Sequence, residues 1–288
     1  MKRSHHSQYD EETTGRCERA LVTVLGSVGL WRERIYLVGG LAPRYIVGQL
    51  PEEAEPHVGT TDVDLVIALA VESDQPETYW TLATNLERCN FQQVEPSFRW
   101  RRDVDGIPVV VELLGESTET QPGKTFRPRL GTGSKLSVLN IPGANLAAHD
   151  FIVVPIERER LDGGGLSRVD VRVANVLPYT VLKIHAFQDR HENKDSYDLV
   201  FTLRFYPGGG AAAGAAAAAS PIAAHPQVRD GLRLLEERFA SADLDAPTAY
   251  AQFIAAPGDD DDLLRRRQEA VATVRGFLRS FRPKAGKE

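Results

Sequence analysis

Cysteine is scarce, long apolar runs are missing, and positive charge is not in surplus. Each shortage excludes something. The two cysteines, Cys17 and Cys89, lie far apart and fit no C-x-x-C pattern, which points to unpaired thiols in a reducing cytoplasm. No run of about 18 apolar residues occurs, so no membrane span is expected. The opening Met1-Lys2-Arg3-Ser4-His5-His6-Ser7 is polar and has no apolar signal segment behind it. The apolar stretch 21–30 has helical periodicity and reads as core. The net charge of −6, with pI near 5.7, argues against a protein that coats nucleic acid nonspecifically. What is present suits a soluble globular chain: 288 residues, 42% hydrophobic and 26% charged, enough for one large domain or two ordinary ones. No internal repeat is visible.

The densest signal lies in residues 35–69. An apolar strand runs into Gly39-Gly40, a helix follows, and a polar loop leads to Thr60-Thr61-Asp62-Val63-Asp64-Leu65-Val66-Ile67. Carboxylates two apart on a strand share a face, with Cα atoms about 7 Å apart. Such a pair can bracket two divalent metals for in-line displacement at phosphorus. A Gly-Gly turn ahead of a helix admits a triphosphate close to backbone N–H groups. Asp-x-Asp by itself is common on solvated strands, and Gly-Gly by itself is an ordinary turn. In this order, with Val63, Leu65, Val66 and Ile67 apolar, an acidic pair entering a buried strand calls for a metal or a partner.

The periodicity predicts a first helix over 14–29, a strand over 35–38, a helix from Pro43 to about 50 and a strand over 62–69. A helix follows over 76–89, then a hairpin of strands 98–103 and 107–114 around Asp105-Gly106. Strands over 152–156 and 169–176 flank an Asp-Gly-Gly-Gly turn at 162–165. After Pro178 the pattern is helical: 178–190, 194–206, a segment around Val228 to Phe239, and a last helix through Val271 and Phe281 behind Asp259 to Asp262. Residues 208–219 are Gly/Ala-rich, and read as a helix or a linker. The expected organisation is an α/β (α+β) domain with a mixed sheet over 1–177, followed by a helical domain over 178–288.

Two constellations carry chemistry. Glu112 is a lone acid among Val109, Val110, Val111, Leu113 and Leu114. With Asp62 and Asp64 it would complete a metal site and help deprotonate an attacking hydroxyl; its bland alternative is an outward-facing strand residue. The second constellation is Lys183-Ile184-His185-Ala186-Phe187, Arg190, and Lys194-Asp195-Ser196-Tyr197-Asp198-Leu199. Lys183, Phe187 and Arg190 share a helix face. The Lys and Arg suit triphosphate oxygens, and Asp195 and Asp198 suit orienting them; the alternative is a salt-bridge set between two helices. His185 reads as core-facing or capping. Arg99, Arg101, Arg102, Lys124, Arg127, Arg129 and Lys135 form a basic window, either a nucleic-acid surface or a solvated strand edge.

Gly39-Gly40, Thr61-Asp62-Val63-Asp64-Leu65, Lys183 to Ala186, Arg190 and Lys194-Asp195 to Asp198-Leu199 resemble the AbiEii-type nucleotidyltransferases. These are toxins of type IV toxin–antitoxin systems within the DNA polymerase β-like nucleotidyltransferase superfamily. The resemblance spans residues 39–199 and rests on motifs. It implies a nucleotidyltransferase domain and a helical domain facing each other across a cleft, Mg²⁺ as a two-metal site, and an NTP. By position it implies metal ligation by Asp62 and Asp64, with Glu112 as the third acid. It implies phosphate binding by Lys183 and an essential acid at Asp198; Gly39, Gly40, Thr61, Arg190 and Asp195 are the further candidates for binding the NTP. Gly40 stands where many superfamily members carry serine, which removes a hydroxyl.

The reading that results is a Mg²⁺-dependent, cytoplasmic nucleotidyltransferase. It moves NMP from an NTP to an acceptor hydroxyl at the 3′ end of tRNA, as a translation-inhibiting toxin with a cognate antitoxin. The alternatives are a small-molecule (antibiotic) or protein-nucleotidylating enzyme, and a binding module with a degenerate site.

Overall fold

A computed structural model describes residues 5–68, 77–128, 136–256 and 258–282. Leu69, Pro76, Arg129 and Lys135 lie outside the described residues. The chain divides into two compact units: Glu11–Ala42 with Gly59–Ala174, and Asn175–Glu288 with Met1–Asp10 and Pro43–Val58. Pro43–Val58 and the first ten residues, placed by the sequence with the α/β part, thus group with the helices.

The first unit is α/β. Its strands are β1 (Ile35–Val38), β2 (Asp62–Ile67), β3 (Gln92–Val94), β4 (Arg99–Val104), β5 (Ile107–Gly115), β6 (Thr125–Phe126), β7 (Val138–Asn140), β8 (Phe151–Glu159) and β9 (Leu166–Ala174). They form one open mixed sheet in the order β3-β4-β5-β2-β1-β9-β8, with β7 joining β5 and β6. β2 runs parallel to β5 and antiparallel to β1. The β4–β5 hairpin turns where expected: Asp105 and Gly106 both have positive φ (51° and 78°), as a two-residue turn matched to strand twist requires.

Helix α1 (Glu11–Ser27) packs on this sheet against β9, β8, β2 and β5. Its buried stripe of Cys17, Ala20, Leu21, Val24 and Leu25 follows the predicted spacing; each fully buried leucine contributes about 1.5–3 kcal/mol. It starts a turn earlier than its apolar stripe, on Glu11 and Glu12, whose charge suits the helix N-terminus. Short β3, β6 and β7 carry too few residues for a readable period.

The second unit is helical: α2 (Pro43–Val47), α5 (Val176–Arg190), α6 (Asn193–Phe205), α7 (Gly209–Ala218), α8 (Pro226–Arg238), α9 (Asp245–Ile254) and α10 (Asp260–Ser280). Helices α3 (Glu77–Arg88) and α4 (Leu146–His149) belong to the first unit. The Gly/Ala segment is a helix because it packs backbone to backbone: a Cβ on Gly214 would lie 2.1 Å from the Phe277 carbonyl oxygen of α10. Helix α2 is only five residues long, shorter than predicted, so a helix dipole there is small. Among the described residues, no helix is long and apolar enough to cross a membrane.

Candidate functional site

Strand β2 enters the α/β unit through a pinned loop. Gly59 has φ +82°, and a Cβ there would lie 1.9 Å from Thr14 Oγ1. The Thr60 N–H donates to that same hydroxyl (3.2 Å), and the Cys17 thiol donates to the Thr60 carbonyl (3.8 Å). Thr60 Oγ1 in turn donates to Asp62 Oδ1 at 2.7 Å and orients the first acid. Thr61 is half-buried between them.

Strand alternation then sorts the side chains. Val63, Leu65 and Ile67 are buried on one face, while Asp62 and Asp64 are half-buried on the other. Asp64 stands in register with Val38 of β1 on one side and Glu112 of β5 on the other, and Glu112 with Arg99 of β4. The row Arg99–Glu112–Asp64–Val38 therefore crosses four strands. After Val38 the chain turns at Gly39 (φ +68°), where an added β-carbon would collide with the Asp64 carboxylate. Gly40 is buried in the same 3-10 turn. Arg99 Nε donates to Glu112 Oε1 at 2.7 Å, so the third acid already has a cationic partner.

Carboxylates are hard oxygen donors and suit Mg²⁺, which takes one or two protein carboxylates and completes its shell with water and substrate phosphates. Asp62 and Asp64 fit that chemistry and share the required face. Among the described residues, no group of three or more His, Cys, Asp or Glu side chains is arranged to hold a metal ion. Glu112 is a neighbour of Asp64 in register and is engaged by Arg99.

The second constellation assembles within the helical unit. Helix α5 ends at His191 in the left-handed conformation (φ 51°), and α6 begins two residues later. This tight reversal sets Asp195 beside Arg190, which reaches both its carboxylate oxygens at 2.8 Å. Lys183 Nζ donates to Asp195 (3.1 Å) and Asp198 (2.7 Å), and Lys194 Nζ to both Asp198 oxygens at 2.9 Å. His57 Nε2 donates to Asp198 Oδ1 at 2.9 Å; an ionised carboxylate only accepts, so Nε2 carries the proton.

These groups are enclosed, not on the surface. The Asp198 side chain is fully buried and that of Lys183 is 8% exposed, whereas Arg190 is 54% exposed. Burial alone would neutralise Asp198, but Lys183, Lys194 and the His57 hydrogen bond outweigh it and hold its pKa below the usual range. Lys183 is likewise penalised by burial, yet Asp198 and Asp195 keep its pKa well above the ordinary value. Burial lowers the pKa of His57 to about 4, against the opposing pull of Asp198. Residue His185 is half-buried, and burial lowers its pKa.

His57 is the member that spacing does not reveal. It stands in what reads as a polar loop, 141 residues from its partner. The basic window also resolves into individual roles. Arg102 donates to the carbonyls of Cys89 and Leu161, and Arg101 pairs with Asp103. Lys124 and Arg127 are exposed.

The chain matches no protein-family model, no curated protein and no solved structure.

Proposed function

We propose that the chain is a Mg²⁺-dependent nucleotidyltransferase that moves NMP from an NTP to an acceptor hydroxyl. One observation carries this reading. Asp62 and Asp64 stand on one face of β2, with Glu112 in register beside Asp64 and the backbone of Gly39 against its carboxylate. Asp62 and Asp64 would hold magnesium, which when bound polarises phosphoryl oxygens and neutralises charge on the leaving pyrophosphate.

The chain's own residues have separate duties. Thr60 fixes the rotamer of Asp62, and Arg99 fixes Glu112. The side-chain-free turn at Gly39-Gly40 lets triphosphate oxygens approach backbone N–H groups, and Thr61 offers a hydroxyl for the same purpose. Arg190 is the most exposed cation of its cluster and is suited to a phosphate, since a guanidinium offers several N–H donors in a planar fork. Lys183 is enclosed by carboxylates, so it serves by fixing Asp195, and through it Arg190, together with Asp198.

For the acceptor we propose the 3′ end of tRNA, with the protein acting in the cytoplasm as a growth-inhibiting toxin restrained by a cognate antitoxin. The motif resemblance supports this choice over a small-molecule or protein acceptor. Incubating the purified chain with Mg²⁺, each labelled NTP and total RNA tests it: label should appear on RNA with release of pyrophosphate. Label on protein or on a small molecule would reassign the acceptor, and no pyrophosphate release with any NTP would reject the activity.

A further inference from the structure

The helical unit contains a cavity of about 420 Å³, within the range of small-ligand sites. Its walls include Tyr197, Phe201 and Phe205 of α6 and Tyr250 of α9. Tyr197, Phe201 and Tyr250 are buried and pack as one aromatic group: Tyr197 lies 5.6 Å from Phe201 and 6.5 Å from Tyr250 between ring centroids. Burial raises the pKa of both tyrosines, so these walls carry no charge.

The sign of the ligand follows from which charged residues are already matched. Arg204 and Arg266 line the cavity, but both pair with Glu269, at 2.6 and 3.4 Å, and Arg266 also meets Asp262 at 3.3 Å. The Arg204 guanidinium lies 4.9 Å from the centroid of Phe205, over its ring. Thus both arginines already have carboxylate partners, Asp262 being shared with Arg265, and one of them lies against an aromatic wall. Glu53 and Glu55 also line the cavity and are exposed, and no ion pair among the described residues offsets them. His6 also lines the cavity, with its Nδ1 donating to the Phe253 carbonyl at 3.1 Å.

From the aromatic walls, the matched arginines and the two unmatched glutamates, we infer that this cavity binds a compact organic cation. The recognised group is a guanidinium or ammonium on an aliphatic stem. Aromatic rings attract a cation through their quadrupole, as the Arg204 guanidinium over Phe205 does in this same cavity. Glu53 and Glu55 supply the opposing charge, and the stem suits the apolar wall. An anion would have to displace Glu269 from two arginines and approach two carboxylates. The cavity uses none of the residues assigned to nucleotidyl transfer.

Calorimetric titration of the full chain with agmatine tests it, alongside phenyl phosphate as the anionic counterpart and an arginine tripeptide amide as the side-chain form. Agmatine should bind saturably and phenyl phosphate should not. Joint Glu53→Gln and Glu55→Gln substitution should weaken agmatine binding about tenfold, and Phe205→Leu about three- to tenfold. Both glutamates are exposed, so an unchanged thermal unfolding curve verifies the fold. Should the double variant unfold, the agmatine and phenyl phosphate comparison on the natural chain still decides. If the tripeptide matches agmatine, the cation is a side chain of a partner protein; if only agmatine binds, it is a free small molecule. No saturable agmatine binding, equal affinity in the double glutamine variant, or tighter binding of phenyl phosphate would each overturn the assignment.

Discussion

A β-carbon built on Gly39 would lie 1.7 Å from Oδ2 of Asp64. The turn after β1 and the second acid of β2 therefore occupy one shared space, and each restricts the other. Gly39 also has φ +68°, a conformation that side-chain-bearing residues avoid. Gly39→Ala should cost about 1–3 kcal/mol in stability, from backbone strain and the displaced carboxylate. It should also lower NTP turnover at least about tenfold, roughly 1.4 kcal/mol on the barrier. Urea unfolding and pyrophosphate release measure the two effects. A stable variant with full turnover would show that the Asp64 position is not critical.

Acid should loosen the helical unit through His57. Its pKa is 6.5 in an ordinary environment and about 4 in the folded protein. Between these values the unfolded chain binds a proton that the folded chain excludes, so stability falls as pH drops from about 6.5 to 4. The contribution is on the order of 3 kcal/mol. Asp198, with its pKa held low, contributes stability that is present above its ordinary value of 3.8 and disappears at more acid pH. His57→Gln should flatten the slope of stability between pH 4 and 6.5, measured by urea midpoints across a pH series. An unchanged slope would place the acid sensitivity elsewhere.

Lys183→Met should be among the most damaging single changes in the helical unit. It leaves Asp198 buried with Lys194 and His57 as its remaining partners, and Asp195 with Arg190. Removing one partner of a buried ion pair typically costs about 3–5 kcal/mol. Arg190→Ala removes a half-exposed group and should cost about 1 kcal/mol or less. Thermal unfolding of both variants gives the comparison; equal losses would contradict the enclosed role of Lys183.

Of the basic window, Arg101, Lys124 and Arg127 remain candidates for binding RNA, while Arg102 holds two carbonyls. Replacing the first three by alanine should reduce the salt dependence of RNA binding, by roughly 0.7–0.9 in log–log slope for each phosphate no longer neutralised. Arg102→Ala should lower stability and leave that slope unchanged. Filter binding across a salt series, with an unfolding curve for each variant, separates the two. A slope that the triple variant does not change would dismiss this surface.

Much of the architecture is legible in the sequence, because it rests on strong periods and on turn chemistry. The stripe from Cys17 to Leu25, the Asp105-Gly106 hairpin and the alternation around Asp62 and Asp64 all follow from local rules. The Lys183, Arg190, Asp195 and Asp198 set is also visible as helical spacing, though its enclosure is not, since burial depends on what covers it. Two things leave no local trace. His57 meets Asp198 across 141 residues. Arg99 meets Glu112 only because the hairpin register places them opposite each other, and charge alone suggests an RNA-binding role for Arg99. The close backbone approach of Gly214 to α10 is similarly hidden behind a composition that also suits a linker.

The proposed chemistry stands most directly on Asp62 and Asp64, which face the same side of β2. The decisive measurement is Mg²⁺-dependent pyrophosphate release by the natural chain and by Asp62→Asn and Asp64→Asn, with each NTP and total RNA present. The expected result is release with label on RNA by the natural chain. Both variants should keep the same stability within about 1 kcal/mol and reduce transfer by a factor of about a hundred or more. No release by the natural chain, or undiminished release by either folded variant, would contradict the assignment of this strand as the catalytic centre.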